Sequence, residues 1–249
     1  MDTNHKRREQ DARRSVGKTT ISHGWLLPFL QTVDSSFPTG AYAHSFGLEG
    51  LIDLKQIPDS DSFLSFLNEQ VGPALAQQEL PYMRLAFEAA NEYNISELVE
   101  IDNEISAWKL TQEIRNASIS QGLNRLRMLR QLYENPLIPD YHIAISRKEA
   151  TGHNMCIVAI QSVVHGTPLA AVLSAYIYQC FGSYCAAALK LLRIGQEHCQ
   201  RILCDALQRS EDLIEHSMSV ARDEAGWFMP NFDIASARHA TAFSRSFIS

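Results

Sequence analysis

The chain has 249 residues and a formal charge of −6, set by 22 Lys and Arg against 28 Asp and Glu. At that length folding can bury about three quarters of the surface exposed by the unfolded chain, so one substantial core is feasible. Residues 1–20 hold six Lys and Arg against three acids, leaving 16 basic and 25 acidic residues elsewhere, a charge of −9. Such an acidic body lacks the extended cationic face that nucleic-acid binding requires.

Residues 1–23 form a basic, polar arm without an apolar pattern and read as disordered. Within it, Ser15-Val16-Gly17-Lys18-Thr19 ends like a phosphate-binding loop, but Ala12 stands where the first glycine belongs and no apolar strand precedes it. The apolar patch at 25–30 is short and broken by Pro28, so no secretory signal is expected and the cytoplasm is the expected location.

Residues 34–49, DSSFPTGAYAHSFGLE, place a rigid turn ahead of a helix. Pro38 fixes its own φ and pushes Phe37 toward an extended conformation, Gly40 permits backbone geometry closed to other residues, and Ser45 is placed to cap the helix begun by Phe46, Leu48 and Leu51. The segment reads either as an ordinary loop-to-helix junction or as a recognition element. Tyr42 beside glycine suits an exposed interface anchor. His44 suits a strut for the loop or an interface contact, because its side chain diverges from that of Ser45 and a nucleophile needs a base within hydrogen-bond reach.

Helical signals fill the rest. Asp59-Ser60-Asp61 starts a helix with a stripe of Phe63, Phe66, Leu67 and Val71, expected to end near Gly72-Pro73. Similar patterns cover residues 82–90, 96–108 and 196–217. Ile119, Leu123, Leu126, Leu129 and Tyr133 define an amphipathic helix with Arg125, Arg127 and Arg130 at other positions. Residues 155–189 contain no Asp, Glu, Lys or Arg. Length alone would allow a membrane span. Gly166, Thr167 and Pro168 divide the run, however, with Thr167 placed to cap and Pro168 in a first turn, so two central helices of a bundle are expected. Tyr176, Tyr178 and Tyr184 then need hydroxyl partners or solvent. No paired alternating runs with hairpin turns appear. The expected fold is all-α: a single-domain bundle of about ten helices spanning residues 24–233, without internal repeats.

The five cysteines lack C-x-x-C spacing and are expected to be free thiols. His198, Cys199 and Cys204 are close in sequence but point to different sides of a helix, and neither His142 nor His153 has a supporting carboxylate pattern. No metal site and no cofactor are expected. The sequence contains no H-E-x-x-H, G-x-S-x-G or dinucleotide fingerprint. The tail, residues 234–249, sets Arg238, His239, Phe243, Arg245 and Phe247 close together, the composition of a segment that orders against a partner; docking on its own bundle is the alternative.

Four segments carry a resemblance to the urease accessory protein F (UreF) family. The first matches D-x-x-F-P-x-G-x-Y-x-H-S-x-G-L-E at Asp34, Phe37, Pro38, Gly40, Tyr42, His44, Ser45, Gly47, Leu48 and Glu49. The second, 107–122, is similar to A-x-K-x-x-x-E-x-R-x-A-S-x-x-x-G; the third is Ile194-Gly195-Gln196; the fourth is the tail. The resemblance spans residues 24–249. It implies a non-enzymatic urease maturation factor, a homodimeric scaffold between the UreD/UreH accessory protein and the GTPase UreG that regulates GTP-dependent nickel delivery into apo-urease. Phe37, Pro38, Gly40, Tyr42, His44, Glu49, Gln196, Arg238, His239, Phe243, Arg245 and Phe247 are the implied partner-binding residues. Ala240 departs from the family's usual Glu and Ser246 from its usual Leu. A buried Leu contact is worth about 1–3 kcal/mol, so the tail's grip is expected to differ. Two other classes stay open: a helical enzyme with a cryptic site around His44 and Glu49, and a membrane-associated protein using residues 155–189.

Overall fold

A computed structural model describes residues 24–40, 45 and 47–239, the last four as backbone only. The basic arm, Tyr42, His44, Phe243, Arg245 and Phe247 lie outside the described residues. Short helices α1 (Leu26–Val33) and α2 (Leu48–Asp53) come first. The third, α3 (Ser60–Phe66), is set by Asp59, whose carboxylate accepts the Ser62 N–H at 2.9 Å while Ser62 Oγ accepts the Asp59 N–H. This reciprocal cap satisfies two donors that a helix start otherwise leaves open.

The chain does not stop at Gly72-Pro73. It continues through a π turn (Leu67–Val71), α4 (Gly72–Ala74), a second π turn (Leu75–Glu79) and α5 (Leu80–Asn91) as one uninterrupted helix. A proline in an α-helix removes one donor and crowds the carbonyl four residues back. Each π turn shifts the bonding to i→i+5 just ahead of a proline, as the Gly72 N–H to Leu67 and Leu80 N–H to Leu75 bonds record. Carbonyls that Pro73 and Pro81 cannot serve are used from elsewhere: Arg209 Nη1 donates to Asn68 O at 3.0 Å and Gly226 N–H to Gln77 O at 3.1 Å.

Then follow α6 (Ile95–Trp108), α7 (Gln112–Leu132), α8 (Leu137–Ser146), α9 (Asn154–His165), α10 (Leu169–Leu191), α11 (Gln196–Leu207), α12 (Ser210–Ser219), a 3₁₀ turn (Arg222–Glu224) and α13 (Pro230–His239). No strand occurs among the described residues, and the architecture is the all-α bundle expected from the periodicities. The pattern over 196–217 is two helices, parted at Gln208 and Arg209.

Helix α9 is the axis, packed between α5 and α7 and fully buried at Met155, Cys156, Ile157, Ala159 and Ile160. Its entry is fixed by Asp102 of α6, a carboxylate of 0 % exposure. Asp102 accepts the N–H groups of Thr151, Gly152 and His153, the nearest at 2.6 Å, together with the hydroxyls of Thr151 and Tyr141. A carboxylate with that many donors is well satisfied despite burial. His153 bridges the flanking helices, Nε2 to Ser106 Oγ at 2.8 Å and Nδ1 to Ser118 Oγ at 3.0 Å. Burial pulls its pKa down to about 4 against the opposing pull of Asp102.

Helix α10 is long and apolar enough to cross a membrane, with a mean hydropathy of 1.2 over its most apolar window. In the bundle it packs on α2, α5, α11 and α12. Tyr176 donates to Glu79 Oε2 at 2.9 Å, Tyr184 sits edge-on to Phe66, and Tyr178 faces outward. Pro168 itself is the N-cap; Thr167 instead gives its N–H to Ser162 O, and Gly166, at φ 71°, ends α9.

Candidate functional site

The segment that opens the 34–49 motif folds back on the bundle. Asp34 accepts the Ser36 N–H at 2.7 Å and the Ser36 hydroxyl, bonds that hold its pKa below the ordinary carboxylate value. Phe37 is buried, with the Arg125 guanidinium 5.4 Å from its ring centre. Thr39 O accepts from Asn124 Nδ2, while Pro38 and Gly40, the latter at φ 84°, face solvent. Gly47 at φ 85° is the N-cap of α2; Ser45 contributes its backbone carbonyl to Leu48 N–H and is not the capping residue. Glu49 is 6 % exposed in the first turn of α2. Of the implied contact residues in this segment, Pro38 and Gly40 are exposed, whereas Phe37 and Glu49 are buried.

Helix α13 lies across α2 at a contact only glycine allows. A Cβ on Gly47 would come within 2.9 Å of the Phe232 ring, and one on Gly50 within 2.6 Å of the Ala235 carbonyl oxygen. Phe232 and Ala235 are buried there. A tail beginning at residue 234 therefore starts inside a helix that belongs to the body; Arg238 and His239 fall in its last turn. Beside this joint Trp227, Phe228 and Ile234 are exposed, Phe228 by 68 %.

A cleft of about 760 Å³ runs beneath the joint, between the 30–39 segment, the second π turn, the α6–α7 corner, α10 and α13. The corner is built by the second motif. Arg115 donates from Nε and Nη2 to Lys109 O at 3.0 and 2.8 Å, and Lys109 Nζ reaches Glu79 Oε1 at 3.1 Å while lying 4.4 Å from the Trp108 ring centre. Ser118 holds His153, and Gly122 leaves room for Gly152 O, which a Cβ would approach to 2.1 Å. The cleft thus joins residues of the first and second motifs with α13, whereas Gln196 is exposed on α11 and its neighbours Cys199 and Leu203 line the wall.

Arg125 stands off the apolar stripe read from the sequence of α7, yet it is 5 % exposed. The buried face runs through Ala117, Gln121, Gly122, Arg125, Leu126 and Leu129, and Leu123 is the residue left 40 % exposed. Polar partners explain the reversal: Arg125 Nε donates to Asn154 Oδ1 at 3.1 Å and Nη1 to Gln161 Oε1 at 2.7 Å. No sequence signal other than its four-residue spacing from Gln121 marks this arginine.

Cys199 is buried against Cys185, its Sγ 3.3 Å from Cys185 O, while Cys204 is exposed. His142 is engaged with Arg130. Among the described residues no group of three or more His, Cys, Asp and Glu side chains is placed to hold a metal ion.

An all-α body in which the 34–49 motif meets the C-terminal helix at a glycine-packed joint is the class of protein defined by these features. The UreF family profile matches residues 57–207. The urease accessory protein UreF of Bacillus sp. (strain TB-90) is 30 % identical over 224 residues, covering 90 % of this chain and 99 % of that one. Those of Arthrobacter sp. (strain FB24) and Paenarthrobacter aurescens (strain TC1) are 28 % and 27 % identical, covering 90 % and 92 % of this chain and 97 % and 100 % of theirs. The chain belongs to the UreF family.

Proposed function

We propose that this chain is a cytoplasmic, non-enzymatic urease maturation scaffold. It holds a UreD/UreH-type accessory protein and the GTPase UreG in one assembly, and so couples GTP-dependent steps to the delivery of nickel into apo-urease. The observation that carries the reading is the α2–α13 joint. Exposed Trp227, Phe228 and Ile234 flank it, and the chain leaves it directly into residues 240–249. Large exposed apolar groups beside a rigid support are the composition of an interface centre. Burial of Glu49 speaks against the cryptic enzyme site with His44, since a general acid or base must reach its substrate. Self-association as a homodimer finds support on α10, where Tyr178 is 49 % exposed and Gly182 has open space around it.

Two variants of the full chain test the reading. Deleting residues 240–249 leaves α13 in place and is expected to abolish capture of the UreD/UreH partner. Tyr42→Ala is expected to keep the fold and dimer but weaken UreG recruitment roughly thirtyfold, as loss of a true aromatic anchor of about 2 kcal/mol does. Urease activation should fall with it. Lost activation with intact recruitment would refute the scaffold role of the loop.

A further inference from the structure

The cleft holds a cation without a counter-charge. Arg125 is buried on α7, and its described partners are all neutral: Asn154, Gln161, the carbonyl of Thr32 at 3.4 Å and the ring of Phe37. Nη2 has no hydrogen-bond partner among the described residues. The acids that share the cleft are turned elsewhere, Asp34 to Ser36 and Glu79 to Lys109 and Tyr176, while burial alone, with no nearby cation, acts on Asp233. One turn before Arg125, on the same face, Gln121 is 7 % exposed, lines the same cleft and has its Nε2 buried without a partner.

An unpaired buried guanidinium and a buried amide donor without an acceptor each cost free energy, and one ligand relieves both. We propose that the floor of the cleft, at Arg125 and Gln121, binds a small planar monoanion of the carboxylate class. With Nε and Nη1 committed to Asn154, Gln161 and Thr32, Nη2 brings the remaining charged donors to an oxyanion, and the Gln121 amide supplies a further donor. Arg125 balances one negative charge; the other cations that line the cleft are already engaged, Lys109 with Glu79 and Lys190 in a contact of its own. A phosphate dianion would be left with an uncompensated charge beside the Phe37 ring. Burial has pulled the Arg125 pKa down to about 10, which still leaves the guanidinium protonated at neutral pH.

The full chain is titrated with sodium formate and sodium acetate against sodium chloride at fixed ionic strength, reading both the thermal midpoint and the transverse relaxation of the formate proton. The expected result is a saturable rise in midpoint with either carboxylate and broadening of the formate signal, neither reproduced by chloride. Gln121→Leu, which keeps the arginine, should weaken formate binding at least fivefold, and Arg125→Met should abolish it. Should Arg125→Met fail to fold, the relaxation measurement on Gln121→Leu decides. Equal responses to chloride, or formate broadening undiminished in Gln121→Leu, would overturn the assignment.

Discussion

Replacing Gly50 by alanine tests whether the α2–α13 joint is a glycine-gated contact. The added Cβ would stand 2.6 Å from the Ala235 carbonyl oxygen and 3.0 Å from its carbon. Both are backbone atoms, so no rotamer change relieves the overlap and α13 must withdraw by roughly 0.7–1 Å to reach the ordinary C···O separation of about 3.3–3.6 Å. A gap of that size forfeits a quarter to a half of the dispersion between facing atoms, and overpacking of this kind costs about 1–3 kcal/mol. Alanine also favours α2 itself by up to about 1 kcal/mol over glycine. The two effects act on different equilibria. The midpoint of global unfolding should stay nearly constant while amide exchange over residues 231–239 accelerates by roughly 5- to 150-fold. Gly195→Ala, where a Cβ meets open space, is the control and should leave α13 protected. Unchanged exchange in Gly50→Ala would show that α13 is held by something other than its seat on α2.

Two further outcomes follow from the buried polar groups at the entry to α9. Asp102→Asn keeps the shape but turns an amide donor toward N–H groups, and should cost about 3 kcal/mol, read as a drop of about 6–12 °C in the thermal midpoint; a shift within 2 °C would refute the role of the carboxylate. His153 has a folded-state pKa of about 4, below the ordinary value of 6.5, so its stabilising contribution is complete above pH 6.5 and is lost as pH falls from there toward 4, and His165, lowered by burial and Arg125, acts with the same sign. Chemical denaturation at pH 7 and pH 5 should therefore show the lower stability at pH 5, with a smaller difference in His153→Gln; a protein equally stable at both would refute it.

Helix existence was legible because apolar positions such as Phe63, Phe66 and Leu67, or Leu126 and Leu129, recur at helical spacing and local caps such as Asp59 announce themselves. Tertiary bonding was not legible. Gly72-Pro73 carries a strong stop signal, and the donor that serves the freed Asn68 carbonyl there comes from Arg209, as the Gly226 N–H serves Gln77 ahead of Pro81, both far along the chain. The inward face of α7 was misjudged at Arg125 and Leu123, since a periodicity count treats arginine as outward and cannot see Gln161 and Asn154 waiting for it. Lys109, Arg115, Ser118 and Gly122 stood in a matched motif without an assigned role; their work is to fix the α6–α7 corner. Ser45 lost its expected capping role to Gly47, whose positive φ a sequence does not display.

The π turn at Leu75–Glu79 makes chain length itself a determinant of the joint. A π turn is an α-helix with one residue more than the regular winding holds. Removing one residue there would restore regular winding, tighten the wide turn that sets out the Gln77 carbonyl, and withdraw that carbonyl from Gly226. The segment leading into α13 would then lose its anchor although no residue of α13 had changed. Single-residue deletions within 75–79 should thus loosen α13 more than deletions in an exposed loop, and the spacing between this turn and Pro81 is as much a part of the joint as any side chain in it.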